Sequence, residues 1–125
     1  MTEQTEQTEQ TEQTEQREQT ARTEQQAELR RLRAELDALD GTLLDTLRRR
    51  FDCGVRIARC KSRYGIPMMQ PGRVGLVKER AARYAADHGL DETFLVNLYD
   101  AIITEMCRVE DLVMDRESPA AEERR

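Results

Sequence analysis

Arg50, Lys61, Arg73 and Glu110 are polar residues set among apolar lines at helical spacing, and any chemistry this chain performs should sit with them. Seven-residue counting from Leu36 and Leu43 lands on Arg50 and then on Ile57, so a guanidinium stands where a leucine is due. Arg48 and Arg49, by contrast, fit the ordinary reading of a charge run as a solvated face. Lys61 follows Arg50 by close to three helical turns, so the two project from one face about 16 Å apart and can lean toward a shared small anion. Arg73 falls in the first turn of a helix, where a cation opposes the macrodipole by about 0.3 to 1 kcal/mol, and a charge so misplaced points to a ligand. Glu110, among Ile103, Met106 and Val113, reads as a half-buried carboxylate that needs either a salt bridge to Lys61 or Arg50 or a raised pKa. Arg33 lies about 100° around the helix from Arg50 and faces a different neighbour, which in a dimer of long helices would be the other chain's pocket. Cations around one carboxylate, with no nucleophile–base pair, suit the binding of a small dianion better than hydrolysis.

The elements that position these residues are three helices. The first is expected from about Glu24 to Tyr64, on a stripe of Leu29, Leu32, Leu36, Leu39, Leu43 and Leu47, and it is too long for its own chain to cover. Gly65 can take a left-handed cap and Pro67 forbids continuation, while Lys61 and Arg63 suit the negative end of the dipole. After a loop over Ile66 to Gln70, Pro71 fits the first position of a second helix with the stripe Val74, Val77, Ala81, Tyr84, Ala85 and His88, ended by Gly89. Asp91 caps a third helix, expected to run to about Asp115, whose buried line is Leu95, Tyr99, Ile102, Met106, Val109 and Val113.

Composition bounds the class. The 125 residues are 38% hydrophobic, enough for a helical core but thin for an isolated monomer. The net charge of −5 arises in five tandem Thr-Glu-Gln copies over residues 2–16, and the rest of the chain balances, so nothing recommends nucleic acid as a partner. The repeat has no apolar face to bury, so residues 1–23 are expected to be a disordered or fraying tail, residues 24–116 a helical domain, and residues 117–125 a second flexible tail. No apolar run reaches membrane-spanning length and no signal core is present, which predicts a cytoplasmic protein without membrane contact. Cys53, Cys60 and Cys107 lack ligand-like spacing with His88 and are expected to be buried small hydrophobes, with no metal. No Gly-rich phosphate loop or other cofactor motif occurs, so no cofactor is expected.

Residues 29 to 115 resemble the all-helical (AroQ-type) chorismate mutases. The likeness is carried by Leu32-Arg33-Ala34-Glu35-Leu36-Asp37-Ala38-Leu39-Asp40 with Leu43-Leu44, then Arg50, Lys61, a Gly-x-Pro loop and Arg73. It implies an all-α, three-helix chain in an intertwined homodimer with two shared pockets. It further implies that Arg33, reaching from the partner, and Arg50 hold two substrate carboxylates, that Lys61 donates to the enolpyruvyl ether oxygen, and that Arg73 supports the carboxylate network. The family reaction is a Claisen rearrangement, in which a C–O bond breaks as a C–C bond forms. Binding in the reactive conformer and donors at the ether oxygen are the help a protein can give.

Departures from the family pattern sharpen the reading. Glu110 stands where many bacterial members have Gln; a carboxyl donates only when protonated, so activity is expected to favour acid pH. Val74 replaces the Glu that accepts from the substrate's C4 hydroxyl, and Met106 replaces a small polar residue. With Gly65-Ile66-Pro67-Met68-Met69-Gln70-Pro71, Tyr99 to Glu105 and Cys107 to Asp111, these changes resemble the 4-amino-4-deoxychorismate mutases of actinobacterial antibiotic pathways, which make 4-amino-4-deoxyprephenate toward 4-aminophenylalanine units. Gln70 or a carbonyl near Pro71 is then a candidate acceptor for the C4 amine. Three alternatives stand beside this reading: a chorismate mutase, an isochorismate pyruvate-lyase, and a non-catalytic helical dimerisation module.

Overall fold

Glycine and proline punctuate a chain that is otherwise compatible with helix almost throughout. The computed structural model describes residues 2–117, and these form α1 (Thr2–Arg63), α2 (Pro71–His88) and α3 (Glu92–Glu117). No strand occurs among the described residues, as the all-α expectation requires, and no helix among them is long and apolar enough to cross a membrane. The chain divides into two compact units, Met1–Thr46 and Leu47–Arg125.

Within the first unit, the expected disordered or fraying repeat is instead helical. Glu and Gln are good helix formers, and the weaker-propensity threonines satisfy their hydroxyls on the helix backbone. Thr8, Thr11, Thr14, Thr20 and Thr23 each donate from Oγ1 to the carbonyl four residues back, at 2.8–2.9 Å. The described repeat side chains are all exposed. The leucine stripe is uncovered as well: Leu29, Leu32, Leu36, Leu39 and Leu43 are 48% to 59% exposed.

The second unit holds the end of α1 with α2 and α3. α1 stops at Arg63, where Gly65 adopts φ 65° and the Ile66 amide donates to the Lys61 carbonyl at 2.8 Å, a Schellman closure. Pro71 opens α2, and Gly89 closes it in the left-handed region at φ 69°. Asp91 caps α3, its Oδ2 accepting from the Phe94 amide at 3.2 Å, and α3 continues past the expected Asp115 to Glu117. The expected C-terminal tail beyond Glu117 lies outside the described residues.

α2 packs on α3, and the core is made of small or flexible residues: Ala58, Ala81, Ala85 and Met106 are buried. Two expectations for α2 fail. Tyr84 and His88 are exposed rather than buried; their rings stack 3.9 Å apart on the helix surface, with His88 Nδ1 2.8 Å from the Tyr84 carbonyl. An aromatic pair at i, i+4 satisfies itself without the core. The cysteines also depart from expectation, since Cys53 and Cys60 are exposed and Cys107 is only half-buried, all as free thiols. Cys53 faces an open cavity rather than packed side chains.

Candidate active site

Three helical faces and one loop enclose a cavity of about 310 Å³ wholly within the second unit. α1 contributes Arg50, Cys53, Gly54, Ile57 and Lys61; α2 with the residue before it contributes Gln70, Arg73, Val74 and Val77; α3 contributes Ile103, Met106, Cys107 and Glu110. Each set advances by three and four residues, the signature of one stripe per helix. Met68 and Met69 close the cavity from the α1–α2 loop.

Seven of the eight residues singled out in the sequence line this cavity: Arg50, Lys61, Gln70, Arg73, Val74, Met106 and Glu110. Arg33 does not; it belongs to the first unit, where it is exposed. Eight further lining residues were not singled out: Cys53, Gly54, Ile57, Met68, Met69, Val77, Ile103 and Cys107. Counting three and four residues outward from Arg50, Arg73 and Glu110 reaches Cys53, Gly54, Val77 and Cys107, and a full heptad from Glu110 reaches Ile103, so the periodicity held a usable signal for most of them.

Arg50 is half-buried, with its guanidinium carbon 5.6 Å from the centroid of the Tyr99 ring. That cation–π contact restrains a long side chain and leaves N–H groups free for an anion. Lys61, also half-buried, donates from Nζ to the Met68 carbonyl at 3.1 Å, which ties the loop to α1 and uses one of its three N–H bonds. Gln70 occupies the N-cap position of α2 but makes no side-chain cap; its carbonyl accepts from the amides of Arg73 at 3.0 Å and Val74 at 3.3 Å. Its amide is therefore available to the cavity.

Glu110 is half-buried, and among the described residues it forms no ion pair with Lys61 or Arg50, contrary to one of the two sequence expectations. The other expectation applies: its pKa is raised. Burial is the main cause; the positive charge of Lys61 opposes it, and the neighbouring Asp111 carboxylate adds to it. The cavity thus offers three cations, one carboxyl whose pKa is raised, and apolar walls from Ile57, Val74, Val77 and Ile103. Such a site can bind a compact dianion and hold a donor beside it.

Comparison with known proteins agrees with this chemistry. Over 100 residues the chain is 84% identical to a protein of Streptomyces venezuelae named "4-amino-4-deoxychorismate mutase", covering 80% of this chain and 97% of that one. A protein of the same name from Streptomyces pristinaespiralis is 58% identical over 80 residues, which cover 64% of this chain and 62% of that one. A "Chorismate mutase" of Methanocaldococcus jannaschii is 24% identical over 76 residues, covering 61% of this chain and 77% of that one. No solved structure gives a significant match. Residues 32–111 match the family described as "Chorismate mutase type II", and the chain belongs to that family.

Proposed function

We propose that this chain is a mutase that rearranges 4-amino-4-deoxychorismate to 4-amino-4-deoxyprephenate, acting as a cytoplasmic homodimer with shared pockets and supplying 4-aminophenylalanine-type antibiotic precursors. The observation that carries the reading is the convergence of Arg50, Lys61, Arg73 and Glu110, from three different helices, on one cavity. The names of the two Streptomyces relatives support the amino substrate.

The reaction is a concerted [3,3] shift. The ether C–O bond breaks while a C–C bond forms, no proton is transferred, and no covalent intermediate with the protein is required. Arg50, with Arg33 from the partner, clamps the carboxylates and Arg73 supports that network, which selects the conformer in which the reacting carbons meet. Lys61 donates to the ether oxygen, where negative charge develops, and protonated Glu110 supplies a second donor to the same atom. Val74 offers no acceptor to a C4 hydroxyl. The Gln70 amide oxygen, not engaged in capping, accepts instead from the neutral C4 amine.

The dimer supplies what one chain lacks. The exposed leucine stripe of the first unit seeks cover, and a second copy of the same stripe is its natural complement. Arg33 then enters the partner's pocket as the remaining carboxylate ligand.

The experiment that tests the function offers both substrates to the full-length chain and compares kcat/KM. The amino substrate should be preferred by roughly tenfold or more. Equal rates would make the chain a chorismate mutase, pyruvate release from isochorismate a lyase, and no turnover of any of them a helical interaction module.

A further inference from the structure

We infer that Gly54 and Met106 form a matched pair that sets the depth of the cavity, with Gly54 acting as a positioning residue through Met106; the inference rests on the proposed reading of this cavity as the substrate site. Gly54 lies inside α1, where helix propensity favours alanine over glycine. Its neighbourhood explains the glycine. A Cβ at position 54 would collide with Met106 Sδ and lie 2.8 Å from its Cε and 3.2 Å from its Cγ. The other glycines inside helices, Gly41, Gly72 and Gly75, would meet nothing within 4 Å, so the restriction belongs to this contact and not to helical glycines in general.

Met106 is only 7% exposed, and both residues line the cavity. The missing methyl is a notch in α1 that seats the thioether. An added methyl would meet the far end of a flexible side chain, so rotation of the thioether is the least costly response. With packed atoms on its other sides, the space open to Met106 is the cavity. Gly54→Ala should therefore fold, and should fill substrate space with the displaced thioether.

A double-mutant cycle on the full-length chain tests the pair. Gly54→Ala should lower kcat/KM for 4-amino-4-deoxychorismate roughly tenfold or more, chiefly through KM, without lowering the melting temperature. In a Met106→Ala background, the same substitution should change kcat/KM by less than about twofold. A change below about twofold in the native background, or effects that simply multiply, would overturn the inference. If Gly54→Ala does not fold, folding of the double variant upholds the pair and its failure to fold overturns it. The Met106 ε-methyl NMR resonance gives a readout independent of turnover: it should move in Gly54→Ala, and an unmoved resonance rejects the pair. An inactive native enzyme would instead reject the functional reading.

Discussion

Among the described residues that line the cavity Glu110 is the only carboxylate, and burial raises its pKa against the pull of Lys61. Below that raised pKa the carboxyl donates a hydrogen bond; above it the carboxylate cannot. Turnover should be greatest on the acid side and fall as pH rises through the native Glu110 pKa, and Glu110→Gln, a donor at every pH, should flatten the fall. An unchanged profile in that variant removes the carboxyl donor from the mechanism. The same titration acts on folding: the native state holds the proton more tightly than the unfolded chain. Stability therefore declines as pH rises from the ordinary carboxylate range through the raised pKa, and Glu110→Gln should remove that slope in pH-dependent melting. Arg50 supplies a planar fork restrained by Tyr99, so Arg50→Lys keeps the charge but loses the geometry; roughly a hundredfold loss of kcat/KM is expected from steady-state kinetics. Arg50 and Lys61 were legible in the sequence because each interrupts an apolar period. The place of Gly54 on the cavity face can be counted from Arg50, but the need for glycine there cannot, because the atom that makes it necessary lies on α3 and contact between helices leaves no mark in the spacing of either one.

Element ends were legible for local reasons. Gly65, Pro71, Gly89 and Asp91 act within one turn of themselves, and the observed ends of α1 and α2 fall where those residues require. The beginning of α1 was not legible, since the lack of an apolar face does not forbid a helix. Composition decides burial, whereas Glu and Gln favour helix and a downstream helix removes the cost of nucleating it. The exposed repeat lies outside the cavity-lining set, so deleting residues 2–20 should leave kcat/KM within about twofold while the helical circular-dichroism signal falls with the lost turns. A tenfold loss of activity would show that this helix does more than solvate.

On the scale of the whole molecule, the leucines of the stripe from Leu29 to Leu43 are 48% to 59% exposed. Replacing Leu36 and Leu43 together by Glu should convert a dimer to a monomer in light scattering and abolish turnover, because charge on that stripe prevents a second copy from packing there. A variant that stays dimeric would place the interface elsewhere. The central claim, that each pocket draws cations from two chains, is tested most directly by subunit complementation. In the proposed dimer Arg33→Ala and Arg50→Ala should each inactivate the homodimer, whereas a mixed dimer would hold one pocket with both native arginines. Co-refolding the two inactive variants in equal amounts should restore about a quarter of the native activity, as random pairing with one intact pocket per mixed dimer requires. Activity that stays at the level of the separate variants would contradict it.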